Sequence, residues 1–379
     1  MGVTSRTGLF GFGQQSAETV APTKWYKHKA AAIDLAIVDD TRVFPDEVGG
    51  VPVPSGMFKA GVAAGGGATL YPRLEDSFGH LLSAAFGKVT TTLAKNIEGT
   101  ADENSVVNTH VFSMDYAQWS YLPWMGFRKI IDKASGAVDA EIIGEQFLDG
   151  KVLGLSFTLP NQGLITCRVD ALCKDYDMVE DPEGVGTWAF ENATYEDYTS
   201  VPLATFKDAN SSVIQGTIDV GATDFVNLPI IAASVQLANA PEQDQLERIY
   251  GDPWRDEITV VARSIQVMLT VKWKNPELYQ KMITGAISGG GEWNPSPFVD
   301  SLAFDVISPK VIPGTDTSST EQYMFRFNAA KVGFAPRGGI QLAGNQSVML
   351  QLVGTVLEDD SGEYATISLQ NAVAEYGLG

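Results

Sequence analysis

The chain has 379 residues, of which 44% are hydrophobic and 19% charged, a composition typical of folded globular proteins rather than of disordered tails. Its formal net charge of −20 is spread over both halves. This argues against a protein that reads nucleic-acid sequence, because such a protein needs cations facing the phosphates. No stretch approaches the ~18 consecutive apolar residues of a membrane-spanning helix, so we expect no membrane partner.

An arm, two extended segments and a long loop are predicted ahead of the first helix. Glycines near the start, with no strand pattern before them, predict a flexible arm over residues 1–22. Ala30–Asp39 predicts a strand, and the polar, proline-bearing stretch Asp39–Pro54 predicts a long loop. Phe58–Tyr71 predicts a strand that its glycines weaken.

A short helix is predicted after Asp76 and Ser77. Apolar residues at i, i+3, i+4 and i+7 from Phe78 form one helical face, and Gly87 ends the pattern. A helix of about ten residues is not stable alone, so we expect it to pack on a sheet.

A hairpin is predicted at Val152–Leu159 and Leu164–Cys173, which alternate apolar and polar residues on either side of a Pro-Asn-Gln-Gly turn. Cys167 and Cys173 both fall on the apolar side of the second strand. Six residues along a strand span ~20 Å, too far for a disulfide, so both thiols are expected to face the core.

The second half repeats this order of elements. In chain order the prediction is a strand, a polar loop, a long strand, a helix and further strands: Ile230–Asn239, Pro241–Asp256, Thr259–Trp273, Asn275–Gly285, Ser301–Val306, Tyr323–Asn328 and Val348–Leu357. Val107–Met114 of the first half is matched to Ser301–Val306.

The predicted fold class is therefore mainly β, with two tandem sandwich or barrel units that each carry one short helix packed on the sheet. The units span residues 23–174 and 225–379, an acidic linker spans 175–224, and 117–145 is an insertion in the first unit.

No enzyme signature is present in the sequence. The three histidines lack metal-ligand spacing, and there is no Cys-x-x-Cys pair, phosphate loop or Gly-x-Ser-x-Gly elbow. Asp175 and Asp177 begin like a calcium loop, but the glycine and closing glutamate are misplaced. We therefore predict no enzymatic activity, no cofactor and no metal.

Taken together, these elements resemble the tail tube proteins of long-tailed bacteriophages, in particular the larger members with two tube-fold units in one chain. The resemblance covers roughly residues 22–379 and rests on a combination of segments: Gly8–Gln14, the helix end at Gly87, Ile230–Asn239, Arg248-Ile249-Tyr250-Gly251, Thr259–Trp273 and Asn275–Gly285. The 117–145 insertion and the glycine-rich strand depart from the family pattern.

The resemblance implies a structural subunit of the virion tail, made in the host cytoplasm. Copies would form rings, with three copies favoured over six, and the rings would stack into a tube through which double-stranded DNA passes during ejection. Further partners would be the tape measure, tail tip and tail terminator proteins. Carboxylates in the lumen would repel the DNA phosphates.

Candidate residues follow by position from the same resemblance. Contacts between rings would come from the two long loops: Asp39, Asp40, Arg42, Asp46, Glu47, Glu242, Asp244, Arg248, Asp252, Arg255 and Asp256. The lumen would be lined by polar faces of long strands, with Thr166, Gln266 and Thr270 as candidates.

Two alternatives stay open at this point. One is a carbohydrate- or receptor-binding β-sandwich module that uses Trp119, Trp124 and Trp293. The other is a hydrolase with an acid pair such as Asp175 and Glu180, against which the missing histidine and cysteine chemistry weighs.

Overall fold

The computed structural model describes most of the chain, and every structural statement below concerns these residues. They are 8–44, 56–96, 106–114, 120–131, 143–160, 163–180, 188–191, 218–220, 230–249, 252–273, 277–285, 291–296, 298–313, 321–337, 348–360 and 362–376.

The described residues form seventeen strands and two α-helices, and all strand pairings are antiparallel. Strands β1 to β17 are Leu9–Gln14, Tyr26–His28, Ala30–Ile33, Ala36–Val43, Met57–Leu70, Gly87–Asn96, Val106–Met114, Met125–Ile131, Ile143–Pro160, Thr166–Glu180, Ile218–Val220, Ile230–Pro241, Val260–Lys272, Phe298–Val311, Gln322–Pro336, Met349–Val356 and Ala365–Asn371. The helices are α1, Phe78–Phe86, and α2, Glu277–Thr284, and a 3₁₀ turn spans Asp244–Glu247. The mainly β prediction is confirmed.

Eight strand positions lie side by side in what we call the eight-strand row. Its order is β4 (continued by β3), β5, β10, β9, β12, β13, β16 and β15. Strands of the first and second halves meet where β9 pairs with β12. The halves therefore share one sheet, and the prediction of two tandem units stays a prediction.

The remaining strands, together with β15 and the first part of β9, pair into a second set. Here β6, β7, β17, β15, β14 and β11 are neighbours, and β2, β1 and β8 continue from the first part of β9. One hydrophobic cluster joins the two sets, with Leu155 and Val267 from the row and Phe112 and Leu369 from the second set. The core thus lies between the row and the second set.

The two helices sit as their sequences predict. All nine residues of α1 are buried, and Gly87 ends the helix with a left-handed φ of 88°. In α2 only Leu278 and Met282 are buried, and Gly285 follows with φ 76°. Left-handed glycines are the common way to end a helix, because they carry no Cβ penalty.

The predicted hairpin is also confirmed. Thr158 pairs with Thr166, and both Cys167 and Cys173 are buried in the core, free of disulfide bonds. Burial raises the pKa of both thiols.

Within the stretch 1–22, where the sequence predicted a flexible arm, Leu9–Gln14 forms strand β1. β1 pairs with β8 and β2, and Phe10 and Phe12 are 2% and 0% exposed. Its glycines alternate with these phenylalanines, so the aromatic rings reach the core while Gly13 lets the Lys24 carbonyl approach closely. Glycine content alone had hidden the period-two pattern.

Two predicted boundaries also fall differently. β4 extends to Val43, so Asp39, Asp40 and Arg42 lie in a strand and not in a loop. β10 continues to Glu180, six residues into the stretch predicted as a linker, because it stays paired with β9 as far as Ile143. Within 117–145, β8 and the first residues of β9 are strands of the sheet.

The glycine-rich strand β5 packs too closely on the backbone of its neighbour β10 to carry a Cβ at Gly67. A Cβ on Gly67 would lie 2.1 Å from the carbonyl oxygen of Val169 on β10, and Gly66 has φ 124°. These glycines allow a full strand of fourteen residues at a place where the sequence predicted a weak one.

Gly67→Ala is therefore expected to lower the free energy of unfolding by about 2 kcal/mol, since the added methyl group must push two paired strands apart. Gly333→Ala is the matched control, because its Cβ would meet its nearest atom, in Leu357, at 3.5 Å. Urea unfolding of the two variants measures the difference, and equal stabilities would contradict this account of β5.

Candidate functional site

The outer surface of the eight-strand row is the candidate functional surface. Its side chains alternate with the buried ones along each strand, and none of the following is buried: Thr69, Ser156, Thr158, Thr166, Arg168, Asp170, Ser234, Gln236, Ser264, Gln266, Met268, Thr270, Gln351 and Thr355. We call this set the exposed face. The three lumen candidates Thr166, Gln266 and Thr270 all belong to it.

Cross-strand register places these residues in continuous lines. Thr69, Arg168, Ser156, Gln236, Gln266 and Thr355 lie opposite one another on successive strands. In the neighbouring line Thr166 is opposite Thr158, which is opposite Ser234. Because directly paired residues of antiparallel strands point to the same side, polar side chains run unbroken across both halves, all of them hydroxyl or amide groups except Arg168.

One cluster of ion pairs lies at this face. Arg168 donates through Nε to Asp170 Oδ1 at 2.8 Å and through Nη2 to Asp34 Oδ2 at 2.9 Å. Asp34 Oδ1 also accepts from the Gly67 backbone N–H at 2.7 Å. Desolvation opposes ionisation of Asp34, but the hydrogen bonds from Arg168 and Gly67 outweigh it and lower its pKa.

The exposed face carries few acidic side chains. Its one carboxylate, Asp170, and the neighbouring Asp34 are both held by the guanidinium of Arg168, and the other residues of the set are neutral. The sequence reasoning missed Asp34, Arg168 and Asp170. The alternation that selected Thr166 carries the signal for two of them, since Arg168 and Asp170 are the next residues on the same side of β10.

The first group of predicted ring contacts lies on β4 and beyond it. Asp39 pairs with Lys59 at 2.6 Å, and Asp40 accepts from Arg42 at 2.7 Å, with all four side chains at least one-third exposed. Asp46 and Glu47 lie outside the described residues.

The second group belongs to a loop that is held by its own ion pairs. Asp244 accepts from Arg248 Nε at 2.7 Å and from Arg255 Nη2 at 3.0 Å, and Arg255 Nη1 donates to the buried Glu247 at 2.5 Å. The bonds from Arg248 and Arg255 lower the pKa of Asp244 in spite of its partial desolvation.

This loop also hydrogen-bonds to strand β5 of the first half of the chain. Arg248 Nη2 donates to the Val62 carbonyl at 3.1 Å, and the Val62 N–H donates to the Pro253 carbonyl at 2.9 Å. Asp252 caps a turn by accepting from the Trp254 N–H at 2.8 Å. Of this predicted group, Asp244, Asp252 and Asp256 are exposed, and Glu242, Arg248 and Arg255 are half-buried.

The row has two ends with different surroundings. Among the described strands, β4 pairs with β5 alone, and Val38 on its outer side is 62% exposed. At the other end, Ala335 and Pro336 pair with β16 beyond the point where β14 stops pairing with β15. Within the described part of the chain, the outer side of β4 and the last two residues of β15 therefore have no second strand partner.

The two described tryptophans of the carbohydrate-binding alternative have different surroundings. Trp124 packs under Lys151 and Lys174, whose ammonium groups lie 4.3 and 5.7 Å from its ring, while Trp293 is 72% exposed. Trp119 lies outside the described residues. Within the described ranges, no three His, Cys, Asp or Glu side chains are grouped as a metal site needs, and no helix is long and apolar enough to cross a membrane.

The class of protein that this geometry defines is a mainly β protein with an antiparallel sheet, a polar outer face and strand edges that lack a second partner among the described residues. Comparison with protein families finds that the family described as phage tail tube protein matches residues 5–354. The chain therefore belongs to the phage tail tube protein family, which gives it a structural role in the virion tail and implies self-assembly into a tube. No match is found among curated proteins.

Proposed function

We propose that three copies of this chain close into a ring, that the rings stack into the tail tube, and that DNA passes through the lumen during ejection. The observation that carries the proposal is the eight-strand row, whose continuous polar face crosses both halves of the chain. Bent into a ring, three rows form a closed barrel without free edges.

An internal repeat supports three copies over six. Ala30, Ile33 and Ile37 pair with Leu70, Ala68 and Ala64 in the first half. In the second half Ile230, Ala233 and Leu237 pair with Val271, Leu269 and Ile265, at the same spacings.

The repeat extends to an irregularity and to a third strand. Register shifts occur between Ala30 and Ala32 and again between Ile230 and Ala232. On the next strand, Leu70 and Ala68 pair with Cys167 and Val169, as Val271 and Leu269 pair with Leu350 and Leu352. Two units per chain give six equivalent positions in a ring of three.

The pairing favours an alignment of the units that differs from the sequence prediction. β8 pairs with the first part of β9, as β14 pairs with β15. In this alignment β8 corresponds to β14, and the additional element of the first unit is the β6–β7 hairpin, not residues 117–145.

The exposed face is proposed to line the lumen. Hydroxyl and amide groups offer phosphate no row of cations, so DNA gains little by counterion release there and stays free to slide. The stretch 39–54 and the loop 241–256 are proposed to contact the next ring, through Asp252 and Asp256 in the second loop. Tape measure, tail tip and tail terminator proteins complete the proposed partners.

Electron microscopy of the purified, concentrated protein tests this function. Hollow rings or tubes with three chains per layer are expected. Six chains per layer would contradict the two-unit ring while keeping the tube. Compact particles without a lumen, also when the tail tip complex is added, would contradict the proposed function.

A further inference from the structure

We infer that the pairing of β9 with β12 inside the chain is the template for the contact between copies. The outer edge of β3 and β4 in one copy pairs with the end of β15 in the next copy. We call this contact the seam. The inference rests on the proposed ring and names the surfaces that close it.

The internal junction defines which residues meet. Within the chain, Leu237 lies opposite Leu155 and Ala238 opposite Gly154. The repeat relates Leu237 and Ala238 to Ile37 and Val38, because Leu237 pairs with Ile265 as Ile37 pairs with Ala64.

The other side of the seam follows in the same way. Leu155 and Gly154 pair with Val169 and Asp170. Their counterparts Pro336 and Ala335 pair with Leu352 and Val353. The seam therefore places Ile37 opposite Pro336 and Val38 opposite Ala335.

Burial at equivalent positions shows that one edge is covered and the other open. Leu237, under β9, is 2% exposed, whereas Ile37 is half-buried. Ala238 is half-buried, whereas Val38 is 62% exposed. An uncovered strand edge with apolar side chains is a template for pairing with another chain.

Charge complementarity favours a second copy as the partner. Arg337, exposed at the end of β15, rests with Nη1 3.1 Å from Met268 Sδ on the exposed face. The seam places Ala36 opposite Arg337 and Asp34 at the diagonal position, two residues before Ala36. A long arginine side chain can span the distance between diagonal positions of paired strands. Asp34 would then bridge Arg168 of its own copy and Arg337 of the next.

Pro336 makes the seam weaker than the internal junction. Its neighbour Arg337 donates its N–H to Gln351 on β16, so the nitrogen of Pro336 faces the seam, and proline has no N–H to donate. The seam thus has one ladder hydrogen bond fewer at this point than the junction has at Leu155.

Paired cysteines test the seam in the full chain. Directly opposed residues have Cβ atoms ~5 Å apart, close to disulfide reach. Val38→Cys combined with Ala335→Cys is expected to give, after mild oxidation of assembled protein, disulfide-linked dimers and trimers with the trimer as the largest species. Non-reducing electrophoresis measures them, and electron microscopy of the same sample checks for rings.

Matched controls define the outcomes. Val38→Cys with Thr355→Cys is expected to give no disulfide-linked oligomers, because Thr355 is exposed but lies one strand further in. Gly154→Cys with Ala238→Cys is expected to give a disulfide bond within one chain. Rings that form without disulfide-linked oligomers from the Val38/Ala335 cysteine pair would contradict the seam and leave the tube function standing. Absence of rings from the unmodified chain would instead overturn the proposed function. Disulfide-linked oligomers that extend up to a hexamer would support the seam and contradict the ring of three.

Discussion

Replacing Asn239 by leucine is expected to lower the free energy of unfolding by about 3 kcal/mol. Asn239 is 1% exposed and donates through Nδ2 to the carbonyl oxygens of Ala85, at 3.1 Å, and Val152, at 3.0 Å. Its Oδ1 accepts from Arg263 Nε at 2.7 Å. Leucine fills the space but removes three hydrogen bonds and leaves the half-buried guanidinium group of Arg263 with one acceptor fewer.

The expected loss is large because this cluster joins elements from both halves. Arg263 Nη2 also donates to the carbonyl oxygens of Ala85 and Phe86, at 2.7 and 3.0 Å, where α1 ends. Cations near the last carbonyls of a helix are stabilising. Desolvation lowers the pKa of Arg263 to about 10, so the group stays charged at neutral pH.

Urea unfolding of the unassembled chain measures the effect. Asp39→Ala is the matched control, because Asp39 pairs with Val62 as Asn239 pairs with Arg263, yet lies at the open edge. Its surface ion pair with Lys59 predicts a loss below about 1 kcal/mol. A loss below 1 kcal/mol for Asn239→Leu would show that the cluster does not hold the halves together.

Lowering the pH from 7 to 5 is expected to reduce the free energy of unfolding by about 4 kcal/mol, roughly 2 kcal/mol each from His28 and His80. Desolvation lowers the pKa of both histidines to about 4 from the ordinary 6.5. The unfolded chain therefore binds protons first. The contribution of each histidine to the free energy of unfolding is complete above pH 6.5. It falls by about 1.4 kcal/mol for each pH unit as the pH is lowered toward 4.

The surroundings of His28 and His80 explain why both are neutral in the fold. His28 donates through Nδ1 to the Lys29 carbonyl at 2.9 Å, and its Nε2 faces the Arg73 N–H at 3.4 Å, which a second ring proton would oppose. The ring of His80 stacks on that of Tyr26 with 4.1 Å between the ring centroids. It meets the ring of Tyr376 edge-on, with 5.0 Å between the centroids.

Other groups act in this range or just below it. Desolvation also lowers the pKa of His110, which adds to the loss in the same window. It raises the pKa of Asp76 above 3.8, so Asp76 opposes the loss at the acid end.

Unfolding at pH 7, 6 and 5 of the unassembled chain and of His80→Phe tests this prediction. Phenylalanine keeps a ring between Tyr26 and Tyr376 but binds no proton, so the slope against pH should fall by at most about half, because His28 and His110 still bind protons on unfolding. An unchanged slope would mean that His80 does not titrate in this window.

Part of the candidate surface was predictable from the sequence, because alternation identifies one side of a strand. Thr166, Gln266 and Thr270 were selected in this way and lie on one face. Asp34 was not, because it sits between β3 and β4 and reaches the face only through Arg168 on a distant strand.

The sequence by itself determined the local elements: the long alternating strands, both glycine-ended helices and the inward side of the strand that carries Cys167. These follow from side-chain period and backbone preference within a few residues. Only the tertiary structure decided which strands are neighbours, that β1 is part of the core, and that Asn239 and Arg263 meet at the end of α1. A period of two fixes the face that a strand buries but not its partner, because any alternating strand offers the same backbone groups to its neighbour.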